Sequence, residues 1–209
     1  MTHGDDQGLV LPPRLAPIQI VIVPIFRKDE EQTFVMEAVE RIKSELADFR
    51  VKVDDRTEVT PGFKFNEWEL RGVPLRLEIG PKDIEKNSVA LARRDIPGRE
   101  GKSFVPQANI AQTVADILDD IQANMLRKAT AFRDQHIFEP KDYTEFKEII
   151  ENDGWCYVWW KPNSENENRI KEETRATLRC IPLDQPGGKG KCIFSGEEAT
   201  QKAYFAKAY

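Results

Sequence analysis

The sequence predicts an α/β protein, a mixed sheet flanked by helices, followed by a small α+β unit. Three observations carry this expectation. Residues 18–26, IQIVIVPIF, are an almost unbroken apolar run, the pattern of a strand covered on both faces. Strand-like runs then alternate with helical periodicities, an order that implies a largely parallel or mixed sheet with right-handed crossovers. After the breaker Glu139-Pro140-Lys141 the composition turns to aromatic strands, a charged helix and a glycine-rich loop, which places a domain boundary there.

Taken in order, residues 1–16 hold Gly4, Gly8, Pro12 and Pro13 and read as loop and linker. His3 beside Asp5 and Asp6 reads as a solvated terminus, not a metal site. Behind the first strand, residues 30–48 carry Phe34, Ala38, Ile42 and Leu46 four apart, with Val35 and Val39 in the same stripe, which predicts an amphipathic helix. Residues 51–54 are a short strand and 57–62 a loop; residues 88–93 and 102–105 are further short strands. Residues 107–138 form a long helix whose apolar face runs from Ile110 to Phe132. It lacks the sustained heptads of a coiled coil and reads as a core-packing helix. In the second unit, residues 143–151 and 165–174 are predicted as helices, and 154–160, 176–181, 191–194 and 203–206 as strands. Its core is expected at Trp155, Trp159, Ile181 and Phe194.

Residues 61–94, PGFKFNEWELRGVPLRLEIGPKDIEKNSVALARR, speak most directly about function. On a helix, Phe65 and Glu69 lie one turn apart on one face, an aromatic plate beside a hydrogen-bond acceptor. That pairing suits an unstacked nucleobase, and it equally suits a solvated surface with ordinary salt links. After the turn at Gly72, Val73, Leu75, Leu77 and Ile79 alternate with Pro74, Arg76 and Glu78, which puts Arg76 on the other face of a strand. Lys82 follows Gly80-Pro81 at the start of a short helix, where a cation and free backbone N–H groups can meet phosphate. Arg93, Arg94, Arg99 and Lys102 surround Pro97, Gly98 and Gly101 as a basic loop.

The net charge is −5, so no global basic field advertises nucleic acid. Residues 64–102 are nonetheless mildly positive, with nine Lys/Arg against seven Asp/Glu; affinity for RNA follows the local patch. No apolar run reaches the length of a membrane span, and the first residues are polar and acidic where a secretory signal is basic, then apolar. A cytoplasmic protein with no membrane partner is expected. Three cysteines, Cys156, Cys180 and Cys192, are odd in number and widely spaced, which fits reduced thiols.

At HGDDQGLVLPPRLAPIQIVIVPI, PGFKFNEWELRGVPLRLEIGPKD, IKEETRATLRCIP and the terminal FAKAY, the chain resembles prolyl-tRNA synthetase of the archaeal and eukaryotic-like type. The likeness covers essentially the whole chain. It implies a class II synthetase anticodon-binding domain over residues 17–138 and a small C-terminal domain over 139–209, with residues 1–16 as the end of a catalytic domain and a linker. The family's anticodon contacts fall on Phe65, Glu69, Arg76 and Lys82, with Lys102 a looser match because the loop from Asp95 differs in length. The family resemblance further implies tRNA(Pro) as partner, ATP and magnesium as cofactors of a full-length, homodimeric ligase, and no catalytic residue in this stretch, which is expected to be an inactive monomer by itself. It also places the terminal carboxylate, at Tyr209, near the active site of the complete enzyme.

Family members that carry zinc in the C-terminal domain use C-x4-C and a later C-x2-C. The corresponding positions here are Lys161, Asn166, Cys192 and Ser195, one thiol of four, so zinc is expected to be absent. Two other readings remain open or weak. A free-standing anticodon-domain relative would bind another RNA or a protein without enzyme activity. A nucleotide-binding enzyme is disfavoured: Pro24-Ile25-Phe26-Arg27 stands where a glycine fingerprint would follow the first strand, and Gly187, Gly188 and Gly190 do not make a phosphate loop.

Overall fold

The structure, a computed structural model, describes residues 3–208; the terminal Tyr209 lies outside them. The chain divides into two compact units, Met1–Lys128 and Ala129–Tyr209.

The first unit begins with a hairpin, β1 (Gly4–Asp5) against β2 (Gly8–Leu9), where a loop was expected. There follow β3 (Ile20–Pro24), α1 (Asp29–Glu45), β4 (Val51–Val53), α2 (Pro61–Leu70), β5 (Leu75–Ile79), α3 (Pro81–Glu85), β6 (Ser88–Arg93), β7 (Lys102–Pro106) and α4 (Ile110–Gln135), whose last turns enter the second unit. The five-stranded sheet runs β4-β3-β5-β6-β7; β3 is parallel to β4 and β5, and β6 and β7 add antiparallel. The mixed sheet is therefore as the sequence predicts.

Period two sorts the strands. Ile20, Ile22, Leu75, Leu77, Ile79, Val89 and Leu91 face α1 and α4 and are buried against Val35, Val39, Ile42, Leu46, Val114 and Leu118. On the opposite face, Val21 and Val23 pack with Trp68 of α2 and with Val73, and Phe65 leans on that cluster. The helix stripe expected along α4 holds over its first half; Phe132 is exposed and stacks on His136 at 4.1 Å between ring centroids.

The second unit adds β8 (Ile137–Phe138), α5 (Tyr143–Glu151), β9 (Trp155–Trp160), α6 (Ser164–Thr174), β10 (Ala176–Cys180), β11 (Gly190–Lys191), β12 (Glu198–Ala199) and β13 (Gln201–Lys207). Its four-stranded sheet has the order β10-β13-β9-β8. The expected core is corrected by one residue of register. Cys156, Val158 and Trp160 point inward with Phe146, Ile150, Ile170, Ala203 and Phe205; of the expected four, Trp159 and Phe194 pack partly buried against this core, whereas Trp155 and Ile181 are about two-fifths exposed. The strand, WCYVWW, has no charged residue to mark its outer face, so composition alone chose the wrong alternation. On that outer face Tyr157 stacks on Tyr204 at 4.5 Å, and the Lys202 ammonium lies 4.8 Å from the Tyr157 ring.

Candidate nucleic-acid interface

The side chains singled out in residues 61–94 converge because α2 is locked onto the sheet. Thr60 caps the helix by accepting from the Phe63 N–H at 3.3 Å, and Pro61 occupies the first turn, where a missing N–H costs nothing. The helix ends at Gly72, whose φ of +74° is left-handed and whose Cβ, if present, would stand 2.6 Å from Leu9. Beneath the helix, the buried Asp54 carboxylate accepts from Trp68 Nε1 at 2.8 Å and from Arg56 Nε and Nη2, each at 2.8 Å. Lys64 Nζ, also buried, donates to the Asp54 carbonyl at 2.9 Å. Hydrogen bonds from Arg56 above all, then from Trp68, outweigh burial and hold the Asp54 carboxyl down at about 2.

Phe65 and Glu69 are thereby fixed over the outer face of β5. The Arg76 guanidinium carbon lies 4.1 Å from the Phe65 ring centroid, and Arg76 Nη1 donates to Glu69 Oε1 at 2.6 Å. Arg76 Nε donates to Glu78 Oε1 at 3.1 Å, and the other oxygen of Glu78 accepts from Lys102 Nζ at 2.7 Å. Glu69–Arg76–Glu78–Lys102 is thus one alternating ladder of charges laid across β5, β6 and β7, with Phe65 under the guanidinium. Cross-strand register explains the reach: Arg76, Ala92 and Lys102 form one row and Glu78, Ala90 and Phe104 the next. Only methyl groups stand between the charged partners.

Four of the five sequence-predicted residues, Phe65, Glu69, Arg76 and Lys102, meet in this ladder. Lys82 does not: it is exposed on α3 and forms no ion pair among the described residues. The Gly80 N–H at the start of that turn is already taken by the Asp83 carboxylate at 2.9 Å, so Lys82 offers its own ammonium and little else.

Glu78 is the residue that sequence reasoning missed. Its signal was present, since Arg76 and Glu78 are two apart on a strand and share a face, but an acidic side chain between cations invited no role. The structure buries it to 3% exposure.

The basic loop is corrected. Arg93 pairs with Asp95 at 2.9 Å and with Asp120 at 2.6 Å. Arg94, 5% exposed, donates to the Glu69 carbonyl at 3.0 Å and through both terminal nitrogens to Asp5. Its guanidinium draws the Asp5 carboxyl down to about 2. Asp5 and the β1–β2 hairpin therefore brace the end of α2 that carries Glu69, a structural task for a stretch that read as linker. Gly101 sets the entry into β7; a Cβ there would fall 2.0 Å from the Ile96 carbonyl oxygen, so only glycine lets the strand deliver Lys102.

In the second unit the four positions that correspond to zinc ligands are Lys161, Asn166, Cys192 and Ser195. Lys161 Nζ is paired with Glu197 Oε1 at 2.8 Å. Hydrogen bonds from Ser195 and from the backbone lower the Cys192 thiol against the opposing effect of burial. A tetrahedral structural zinc is held by thiolate, imidazole or carboxylate ligands, and one thiol beside an ammonium, a neutral amide and a hydroxyl does not fit it. Among the described residues there is no group of three or more His, Cys, Asp or Glu placed to hold a metal ion.

The charged ladder and its aromatic thus lie together on the outer face of the mixed sheet. Residues 19–114 match the family described as anticodon binding domain, and the first unit is such a domain, an α/β unit consistent with those of class II synthetases. Residues 143–209 match the family described as prolyl-tRNA synthetase, C-terminal, so the chain joins an anticodon-binding domain to a prolyl-tRNA synthetase C-terminal domain. Among curated relatives, the proline–tRNA ligase of Roseiflexus castenholzii is 58% identical over 210 residues, covering 100% of this chain and 44% of that protein. That of Chloroflexus aurantiacus is 53% identical over 210 residues with the same coverages. The Arabidopsis thaliana protein named proline–tRNA ligase, chloroplastic/mitochondrial, is 47% identical over 214 residues, covering 100% of this chain and 39% of its own length. The chain thus spans less than half the length of these relatives.

Proposed function

We propose that this chain is the tRNA-recognising part of a proline–tRNA ligase and that the ladder on its first unit reads the anticodon of tRNA(Pro). The observation that carries this reading is the meeting of Phe65, Glu69 and Arg76 on one sheet face. Bases in an RNA loop can be splayed out, stacked on aromatic or guanidinium planes and read on their exposed edges. The Glu69 carboxylate accepts from guanine N1–H and N2–H₂, whereas Arg76 donates to O6 or N7, so a guanine edge can enter where the two side chains now pair with each other. Glu78 keeps hold of Arg76 Nε during that exchange. Lys102 and Lys82 supply charge for base or phosphate.

The parent protein attaches proline to tRNA with ATP and magnesium through a prolyl-adenylate; this portion supplies binding and orientation and by itself is inactive. The ligase is taken to be of the archaeal/eukaryotic-like type on the resemblance at the four sequence motifs, and the C-terminal domain favours proline as its amino acid. Residues 17–138 and 139–209 are taken as the two domains, and the parent as a cytoplasmic homodimer whose isolated C-terminal part is monomeric. No helix among the described residues is long and apolar enough to cross a membrane. Zinc is taken to be absent, on the poor donor set at Cys192; metal analysis showing one zinc per chain would overturn that. The test of the main reading is a titration with a proline anticodon stem-loop. Glu69→Ala should weaken binding by about 1–3 kcal/mol with the fold intact, and equal affinity of variant and parent would remove Glu69 from the site.

A further inference from the structure

Resting on that reading of the ladder, the structure points to a second aromatic plate that the anticodon contacts do not include. Phe65 is only partly available: the Arg76 guanidinium covers one side of its ring at 4.1 Å, and the ring also packs on the Val21–Val23–Trp68 cluster. Phe104 is the opposite case. It lies on β7, an edge strand of the five-stranded sheet, and 68% of its surface is exposed. Register places it in the row Glu78, Ala90, Phe104, on the same sheet face as Arg76 and Lys102. Its neighbour Lys102 holds an ammonium 5.8 Å from the ring centroid, while that same ammonium is anchored to Glu78. A bulky apolar ring left in water beside a fixed cation, continuous with a row of base-reading groups, is the pairing that single-strand binding surfaces use.

We propose that Phe104 stacks a second nucleobase of the same single-stranded loop, a neighbour of the base engaged at Phe65, Glu69 and Arg76. Strands β5 and β7 are two sheet spacings apart, about 10 Å. That is about three times the 3.4 Å rise per nucleotide of one strand, so a base engaged at Arg76 on β5 and a base on Phe104 of β7 are two different bases of a splayed loop. Lys102 then lies between the two bases, where its charge faces the intervening phosphate as well as Glu78. Because stacking tolerates any base, Phe104 adds affinity across anticodons, whereas Glu69 and Arg76 add discrimination.

The experiment is fluorescence titration of a labelled proline anticodon stem-loop with the whole 209-residue chain and its F104A, F104W and E69A variants, at two salt concentrations. Loss of one stacked base should weaken F104A between about 5-fold and 150-fold, with F104W restoring affinity. The salt slope should be unchanged because no charge is removed, and the unfolding midpoint unchanged because the ring is exposed. Parent-like binding by F104A, with E69A weakened, would overturn the second plate and leave the anticodon reading standing. Parent-like binding by both, or no binding by the parent, would overturn the reading itself. A change in sedimentation on F104A with RNA affinity unaltered would reassign the ring to contact with a second copy of the chain.

Discussion

Glu78→Gln isolates the charge that organises the ladder. The side chain is 4% exposed and receives Arg76 Nε at 3.1 Å and Lys102 Nζ at 2.7 Å. Glutamine keeps the shape but has a single acceptor oxygen, so one of the two cations must face its NH₂ group. Hydrogen bonds to charged groups contribute about 1.5–3 kcal/mol, and removing one partner of a buried pair costs about 3–5 kcal/mol. Lys102 is partly exposed and can turn to water, which lowers the expected loss to about 2–4 kcal/mol by the same reasoning. RNA binding should change in two ways. Discrimination between proline and non-proline anticodon stem-loops should fall, because Arg76 loses the contact that orients its fork. Dependence on salt should steepen, by about 0.7 in the log–log slope for each cation released to a phosphate of a single strand. Urea denaturation and titrations at two salt concentrations measure both effects. A variant as stable as the parent, with parent-like discrimination and slope, would refute the organising role of Glu78.

Three further outcomes follow from the same structure. Asp54 is held at about 2 against an ordinary value of 3.8, so the stability it confers is complete above pH 4 and drains away as pH falls toward 2. Asp54→Asn should cost about 2 kcal/mol at pH 7 and erase that part of the acid limb, as read by denaturation at several pH values. Gly101→Ala should destabilise the entry into β7 and weaken RNA binding through Lys102; a parent-like unfolding midpoint would contradict the 2.0 Å approach to Ile96. Of the three thiols, only Cys180 is exposed, and burial pushes Cys156 up to about 12. One thiol per chain should therefore react rapidly under native conditions and three after unfolding.

Much of the fold was legible because the first unit obeys simple periods. The run at residues 18–26 is buried on both faces, as an unbroken apolar run implies, and the stripe of α1 and the alternation through β5 each put their apolar residues in one core. The second unit yielded less, since in WCYVWW both faces of β9 are apolar and period two has nothing to contrast. At the site, Phe65 and Glu69 could be paired from helix spacing and Arg76 assigned to the outer face of a strand, but only the family resemblance implied that the three belong together. The partnership of Lys102 with Glu78 depends on a pairing through β6, and Arg94 with Asp5 joins positions 89 residues apart. Spacing in the sequence does not encode contacts of that range, which is why the basic loop gave no sign of Arg94 with Asp5 or Arg93 with Asp120, although Arg93 with Asp95 is only two residues apart.

The central claim is that Glu69 and Arg76 open to admit the edge of a guanine. It is tested most directly by titrating the chain with two anticodon stem-loops that differ only in replacing one guanine of the proline anticodon by adenine, which lacks the N2–H₂ donor and the O6 acceptor. The account predicts that the replacement weakens binding to the parent by about 1–3 kcal/mol and has a smaller effect on Glu69→Ala, where only the Arg76 contact to O6 is left to lose. Equal affinity of the parent for the two loops, at each guanine in turn, would contradict it.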